Sequence, residues 1–260
     1  MPAHTLEATF EPISADVPET PAEKPAVDNA RVHSMEIAGE DLAFDPSGVL
    51  IWPSESALIV ADLHLEKGSS HAERRIFLPP YDTAATLAGL AAAITRYDPK
   101  IVICLGDSFH DRRADSRIAA SDRDTIAGLQ TGRSWFWISG NHDPQAPVGL
   151  GGEPCEELGF GRLIFRHHPT PGPTPGEIAG HLHPSGKIRN RGRSVRRRCF
   201  AGDGTRLVLP AFGAFTGGLN VLDQAWTGIF TGRRFNAYML GDERIYPIPA
   251  RALLKDRYTR

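Results

Sequence analysis

Five apolar segments of the chain each end in a cluster of polar residues. A continuous run of branched and aromatic residues is typical of a strand that is buried on both faces. Polar groups just beyond the ends of such strands collect at one edge of an α/β sheet, where these folds bind ligands. We therefore expect the five clusters to converge on one site. The segments are LIVADLH (58–64), IVICLGD (101–107), FWISGNHD (136–143), LIFRHH (163–168) and EIAGHLHP (177–184).

The connections between these segments predict helices. Four apolar residues follow the i, i+3, i+4, i+7 spacing of one helix face, and this helix should end before Pro99. They are Leu87, Leu90, Ala91 and Ile94. A second, shorter helix is predicted over about 119–130. Strand, helix and strand at this spacing predict parallel βαβ units, and the later short strands with Gly turns predict the second sheet of a two-sheet α/β fold.

The first part of the chain differs in composition from the rest. It is rich in Pro, Ala, Glu and Asp and lacks periodicity, which is typical of a segment that cannot bury enough surface to become ordered. From about Val32, an alternating segment, the turn DPSG (45–48) and the apolar GVLIW predict a hairpin. We predict a disordered tail over residues 1–32 and one domain over 33–260.

The polar clusters offer nitrogen and oxygen ligands but no thiolate. Cys104 lies inside a strand segment, and Cys155 and Cys199 belong to no cluster. Imidazole, carboxylate and amide ligands suit Mn²⁺, Fe²⁺ or Zn²⁺, whereas thiolate-rich sets select structural zinc. The three cysteines have no paired spacing, which favours a reducing compartment.

Two pairs of ligands have the spacing i and i+2. Residues at this spacing point to the same side of an extended segment, so each pair can reach adjacent positions of one metal site. The pairs are Asp62 with His64 and His181 with His183. Seven good ligands exceed the need of one ion. They favour two ions roughly 3.5–4 Å apart that share a carboxylate and a water, as in displacement at phosphorus.

These motifs, in this order, resemble those of the calcineurin-like metallophosphoesterases. The series is DxH (Asp62, His64), GD (Gly106, Asp107), GNHD (Gly140 to Asp143), a later lone His, and GHxH (Gly180 to His183). Longer strings, among them DLHLEKGSS, LGDSFHD and LPAFGAFTGGLNVLD, are similar to the bacterial ligase-associated phosphoesterases, a subfamily of DNA-damage-response endonucleases. The resemblance implies a four-layer α/β/β/α fold, a two-sheet β-sandwich flanked by helices.

The resemblance also implies a role for each ligand. Asp62, His64 and His183 would hold one ion, Asn141, His167 and His181 the other, and Asp107 would bridge both. The cofactor is expected to be two divalent ions, Mn²⁺ first, with Fe²⁺ or Zn²⁺ as alternatives. His168 adjoins His167, and because neighbours on a strand face opposite ways only one of them should reach the metal. We choose His167 and keep His168 as the alternative.

Two further histidines are expected to act on the substrate. His142, in GNHD, corresponds to the family's residue beside the scissile phosphate, where it would donate a proton to the leaving oxygen or stabilise charge. His110 stands at a position where many phosphatases of the superfamily have Asp. The double-strand-break repair nucleases of the same superfamily have His there, as this chain does. This difference favours a nucleic-acid substrate. His4, His33 and His71 have no motif and are not expected to be ligands; His71 is predicted to lie on the surface.

Charge and composition agree with an enzyme of ordinary globular type. The chain has 260 residues, 41% of them hydrophobic and 23% charged, no apolar stretch of membrane-spanning length and no secretory signal, so we expect a cytoplasmic protein. Its net charge is −2, but a basic run follows His183. Within it, Arg191, Arg193, Arg196 and Arg197 are predicted to contact phosphates, although a solvated hairpin would have the same composition.

Three functions are compatible with these patterns. The first is a dinuclear metal-dependent phosphoesterase that cleaves nucleic acid, DNA rather than RNA, with a DNA-repair ligase, helicase or exonuclease as partner by family resemblance. The second keeps the metal centre but acts on small nucleotides or cyclic nucleotides. The third is a non-catalytic binding module, which we place last because such proteins usually lose ligands and this chain has lost none.

Overall fold

The computed structural model describes residues 32–73, 75–76, 81–145 and 149–256. The predicted tail, apart from residue 32, lies outside the described residues, so that boundary stays a prediction. Within the described part of the chain, no helix has the length and apolarity needed to span a membrane.

The described residues form sixteen strands, four α-helices and three short 3-10 turns. The strands are β1 (His33–Ile37), β2 (Glu40–Phe44), β3 (Leu50–Trp52), β4 (Ala57–Val60), β5 (Ile101–Cys104), β6 (Ser134–Ile138), β7 (Glu153–Cys155), β8 (Glu157–Phe160), β9 (Leu163–Arg166), β10 (Glu177–Ala179), β11 (Pro184–Asn190), β12 (Arg193–Gly202), β13 (Leu207–Val208), β14 (Leu219–Asn220), β15 (Asn236–Leu240) and β16 (Ile245–Pro249). The helices are α1 (Lys67–Glu73), α2 (Asp82–Tyr97), α3 (Ala114–Arg117) and α4 (Ala120–Gln130). The 3-10 turns are Pro53–Glu55, Gln224–Trp226 and Ala250–Ala252.

The first sheet contains β1 to β7 in sequence order. Strands β1 to β4 form an antiparallel meander, which includes the predicted hairpin around the DPSG turn. Strands β4, β5, β6 and β7 are parallel, with Val60 opposite Cys104 and Cys104 opposite Trp137. The carboxyl ends of β4, β5 and β6, where three of the five polar clusters begin, therefore lie at one edge of this sheet.

The second sheet has the order β14-β11-β12-β13-β10-β9-β8, with β15 paired to β12 and β16 to β15. Strands β9 and β10 are parallel, and Phe165 lies opposite Ile178. The remaining two polar clusters follow these two strands. β10 is buried throughout, whereas Ile164 and Arg166 of β9 are half-buried, so β9 departs from the prediction of a strand buried on both faces.

The core between the sheets is apolar and aromatic, with Phe44, Trp52, Phe165 and Phe200 all fully buried. On its outer face the first sheet packs against α2, whose buried residues include Leu87, Leu90 and Ile94 as the spacing predicted. Ala93, rather than Ala91, completes this face.

The outer face of the second sheet packs against irregular chain and the 3-10 turns around Trp226 and Ala250. The two-sheet α/β sandwich is confirmed, and α4 forms where the second helix was predicted. Helices α1 and α3 were not predicted, because at seven and four residues they are too short for an apolar period.

Candidate metal centre

The five polar clusters converge at one edge of the sandwich because backbone hydrogen bonds continue between the loops after the strands end. The amides of Asp62 and His64 donate to the carbonyls of Gly106 and Asp107 over 3.2 and 2.9 Å. In the second sheet, the amide of Gly180 donates to the carbonyl of His167 over 3.0 Å. The loops are thereby fixed in register, and their side chains meet in one place as the sequence predicted.

The backbone of these loops is not extended, so the prediction that the i and i+2 ligands share one side of an extended segment is wrong. Five predicted ligands have a positive φ: Asp62 (55°), His64 (45°), Asp107 (46°), His181 (68°) and His183 (43°). A left-handed conformation costs a non-glycine residue on the order of 1–3 kcal/mol and persists only where the surroundings fix it. The pairs are therefore oriented by tight turns, and the site is held by the packed loops before any ligand binds.

Asp107 occupies the centre of the site. Its Oδ1 accepts the backbone N–H of His142 over 2.9 Å. Its Oδ2 lies 3.4 Å from His167 Nε2 and 3.9 Å from both His64 Nε2 and His142 Nε2. One carboxylate oxygen thus faces histidines from both sheets.

One ligand group consists of Asp62, His64 and His183. His183 Nε2 lies 3.2 Å from Asp62 Oδ1 and 3.3 Å from His64 Nε2. Burial, together with the neighbouring His183, lowers the pKa of His64 to about 2. His64 is therefore neutral at ordinary pH, and neutral imidazole is the form that binds metals.

A second group consists of Asn141, His167 and His181. His167 Nδ1 donates to the carbonyl of Leu105 over 2.8 Å, which leaves Nε2 to face Asn141 Oδ1 at 3.0 Å and His181 Nδ1 at 3.2 Å. Burial alone would lower the pKa of His167, but the hydrogen bond to Asp107 and the charge of Asp62 raise it. A negative field that favours a proton on this nitrogen also favours a metal cation in its place.

His168 lies beside this group, on its exposed side. Its ring centroid is 3.8 Å from that of His181, while the buried His167 points toward Asp107. The prediction that the two neighbours face opposite ways is wrong: their ring centroids are 4.9 Å apart, and ring nitrogens of both lie within 4.8 Å of one of His181. Both residues follow the end of β9 at Arg166, so strand alternation does not apply to them. His168 therefore stays the alternative ligand. Burial and the adjacent His168 lower the pKa of His181 to about 4, so it too is neutral at ordinary pH.

The donor set suits divalent metal cations. It consists of imidazole nitrogens, two carboxylates and one amide, and the three cysteine thiols are free and lie in none of the candidate metal-binding groups. Two glycines allow the loops to approach this closely. A Cβ on Gly106 would lie 2.6 Å from the His167 ring, and one on Gly140 would lie 2.2 Å from Asp107 Oδ1. Ring nitrogens of different histidines approach one another to 3.2–3.3 Å, and a cation between them would be stabilised by their lone pairs.

His142 and His110 form the solvent side of the centre. His142 Nδ1 donates to the carbonyl of His110 over 2.7 Å, so Nε2 is the nitrogen directed toward Asp107. The two rings stack with centroids 5.2 Å apart. Burial, His142 and Lys67 together lower the pKa of His110 to about 4, and its buried Nδ1 has no hydrogen-bond partner within the described residues.

Two residues near the site were not assigned to it from the sequence. The carboxylate of Asp143 accepts the amides of Phe109 and Gly140 over 3.0 and 3.1 Å, and burial raises its pKa to about 7. It holds two of the ligand loops together, and its place in GNHD was the available signal. His71 was read as a surface residue, but it is half-buried with its ring 5.2 Å from that of His110.

The predicted substrate arginines lie outside the metal centre, on the β11–β12 hairpin. Arg191 and Arg193 are exposed at its turn. Arg196 pairs with Asp256 over 3.2 Å and donates to Ser185, while Arg197 is exposed near the other end of the hairpin. Their contact with a substrate stays a prediction.

Comparison with known proteins agrees with this geometry. A sequence model of the calcineurin-like phosphoesterases matches residues 56–208. The crystal structure of Pseudomonas putida nuclease MPE is similar, with 29% sequence identity and a TM-score of 0.65 over 84% of this chain and 100% of that one. YfcE, a phosphoesterase from E. coli, is 12% identical with a TM-score of 0.38 over 75% of this chain and 98% of that one. No curated protein is significantly similar.

The family match spans more than half of the chain and includes all seven predicted metal ligands. The imidazole and carboxylate groups at the sheet edge supply what divalent metal ions require. The chain is therefore a metal-dependent phosphoesterase and belongs to the calcineurin-like phosphoesterase family.

Proposed function

We propose that the chain is a nuclease that hydrolyses phosphodiester bonds of nucleic acid, DNA in preference to RNA. The observation that supports this most directly is the similarity to Pseudomonas putida nuclease MPE, at 29% identity over 84% of the chain. The stacked histidines His110 and His142 beside the centre agree with the resemblance to nucleases noted from the sequence.

In this proposal the ligand groups hold two divalent ions, with Mn²⁺ as the first choice. Asp62, His64 and His183 would hold one ion, Asn141, His167 and His181 would hold the other, and Asp107 would serve both. When bound, the ions supply the activated water and the positive charge that attack at a phosphodiester needs.

His142 serves the leaving group. Because Nδ1 is committed to the carbonyl of His110, a proton on Nε2 can be given only toward the centre, where the scissile phosphate would lie. The stacked His110 ring restricts rotation of His142 and, being neutral at ordinary pH, does not repel a protonated neighbour. His110 is thus a positioning residue in this mechanism.

We further propose that the nuclease acts in DNA repair, and this role has its own support. It rests on the strings DLHLEKGSS and LGDSFHD, which resemble the ligase-associated phosphoesterases. A DNA-repair ligase, helicase or exonuclease would be the partner, and the protein would act in the cytoplasm.

The test is an assay of the purified chain with Mn²⁺ on supercoiled plasmid, short single-stranded DNA, RNA of the same sequence and a chromogenic phosphodiester. We expect cleavage of DNA and of the chromogenic diester, and loss of both in the Asp107→Asn variant. Hydrolysis of the chromogenic diester alone would point to a small-nucleotide phosphodiesterase. No hydrolysis with any divalent metal would point to a binding module.

A further inference from the structure

A cavity of about 520 Å³ lies where the β2–β3 turn, strand β12 and the end of β15 meet. Strand β15 pairs with β12 from Cys199 onward, whereas the preceding residues of β12 pair with β11. The charged residues that line the cavity are Asp45, Arg96, Arg196, Arg197, Arg198 and Asp242. Four guanidinium groups thus share one cavity with two carboxylates.

Two of these four arginines already have carboxylate partners. Arg96 pairs with Asp45 over 3.2 Å, and Arg196 pairs with Asp256 over the same distance. Their positive charge is therefore largely compensated.

The other two arginines carry uncompensated charge. Arg198 is half-buried and donates to the carbonyls of Ala211 and Phe212 over 2.6 and 3.4 Å, and no described carboxylate lies within salt-bridge distance of it. Arg197 is exposed and likewise has no ion pair among the described residues. A partly buried guanidinium with only neutral acceptors gains from an anion, because a charge removed from water is costly unless it is paired.

Hydrogen bonds link the wall of the cavity to a loop of the metal centre. Arg198 binds the carbonyl of Ala211, which pairs with Ala61, the residue before the ligand Asp62. A second cavity of about 320 Å³, lined by 212–216 and by α2, shares Ser47 and Arg198 with the first. The amide of Gly213 in its wall donates to the carbonyl of Asp62 over 3.1 Å. The two cavities share residues and together form a groove beside the ligand loop, although none of the seven predicted metal ligands lines it.

We propose that this groove binds the sugar–phosphate backbone of the nucleic-acid strand, with Arg197 and Arg198 as its phosphate contacts. The inference rests on the proposed nuclease function and specifies where its substrate lies. The planar guanidinium fork matches the oxygens of a phosphate group. The proposed contacts lie at the end of the hairpin that is far from its turn. Arg193, near the turn, lies roughly 17 Å from Arg198 along the strand at the usual rise per residue.

The experiment compares matched charge removals on the same hairpin. Arg197→Gln and Arg198→Lys are the groove variants. Arg198→Lys keeps the positive charge but removes the planar guanidinium group. The control is the double variant Arg191→Gln with Arg193→Gln at the turn. Each variant also carries His142→Ala, which slows cleavage, and is loaded with Mn²⁺. Binding of a labelled oligonucleotide is then measured by fluorescence anisotropy across a series of salt concentrations.

We expect Arg197→Gln to weaken binding roughly tenfold at low salt, the usual worth of a charged hydrogen bond. It should also reduce the log–log salt slope by about 0.7 for single strands or about 0.9 for duplex, as for one lost phosphate contact. Arg198→Lys should weaken binding with little change in slope. Loss of binding in the control variant, with both groove variants normal, would overturn the inference.

The same proteins with His142 restored separate this inference from the proposed function. In the Arg197→Gln variant, cleavage of DNA should fall by a larger factor than hydrolysis of a chromogenic phosphodiester, since a small substrate does not reach the groove. If the unsubstituted chain cuts no nucleic acid, the nuclease proposal fails, whatever the binding data show. If it cuts DNA and the groove variants bind and cut normally, only the groove is wrong.

Discussion

The carboxylate of Asp107 lies between the two groups of histidines, and both of its oxygens have defined partners. Oδ1 is held by the His142 amide, and Oδ2 faces His64 and His167. Burial would raise the pKa of Asp107, but its hydrogen bond to His167 and its other polar contacts lower it below the usual range. Asp107 is therefore ionised at every pH at which the protein is expected to work.

Replacing Asp107 with Asn should weaken both metal sites together, because the change removes the negative charge that both groups of ligands share while keeping the side-chain shape. His64→Ala should empty mainly the site that it shares with Asp62 and His183. Elemental analysis of the purified variants measures this directly. A fully loaded and fully active Asp107→Asn protein would sink the two-ion arrangement.

His142→Ala should lower turnover by about 10²–10⁴, the usual contribution of a positioned acid or base. Metal content should change little, since His142 is assigned to the substrate and not to an ion. The loss should be smaller for an activated leaving group, which needs no proton. Steady-state kinetics on a pair of aryl phosphodiesters tests this, and equal losses for both substrates would argue against proton donation.

At the scale of secondary structure elements, a buried ion pair secures the segment that follows His167. Glu177 at the start of β10 pairs with Arg206, and both side chains are almost completely buried. Arg206 also donates to the carbonyls of Thr170, Gly172 and Ile229, and Glu177 accepts the Thr170 amide. Strand β10 and the loop after β9 are thereby tied to the irregular layer outside the second sheet.

Glu177→Ala should destabilise the fold by about 3–5 kcal/mol, because it leaves the charge of Arg206 buried without a partner. The matched control is Glu36→Ala, which removes the same side chain from an exposed position of β1 and should change stability by less than about 0.5 kcal/mol. Urea unfolding followed by circular dichroism compares the two. Equal midpoints would show that the buried pair contributes nothing.

At the scale of the whole molecule, the metal centre lies across the two sheets. The first sheet supplies Asp62, His64, Asp107 and Asn141, and the second supplies His167, His181 and His183. The carboxylates therefore come from the first sheet and most of the histidines from the second. Ions bound here would stabilise the folded sandwich in addition to supporting the reaction. The stabilisation arises because they bind the folded chain and not the unfolded one.

The metal-free protein should lose stability as the pH falls from about 6.5 to about 4. The pKa of His64 is lowered to about 2, and those of His110 and His181 to about 4, from an ordinary value of 6.5. In this window the unfolded chain binds protons that the folded chain does not. Asp143, with its pKa raised from 3.8 to about 7, acts in the opposite direction but is one group against three.

Urea midpoints measured in EDTA across this pH range provide the test. His110→Gln should flatten the dependence, since it removes one of the three histidines, and His33→Gln, remote from the centre, should flatten it less. A midpoint that is constant or rises toward pH 4 would contradict the assignment of these histidines as neutral in the folded state.

The sequence by itself determined which residues form the centre and which elements carry them. Apolar runs that end in polar clusters predicted β4, β5, β6, β9 and β10, and helical spacing predicted α2 and α4, because burial and periodicity are encoded locally. The resemblance carried by the motifs predicted the family, which the family model confirms.

Only the tertiary structure decided how these residues are held and which charges are free. The left-handed turns at Asp62 and His183 depend on hydrogen bonds between loops that are distant in sequence. Arg196 is neutralised by Asp256, sixty residues later, whereas its neighbour Arg198 is not neutralised. The sequence specifies the sign of each side-chain charge. Only the fold decides which carboxylates come close enough to an arginine to neutralise it.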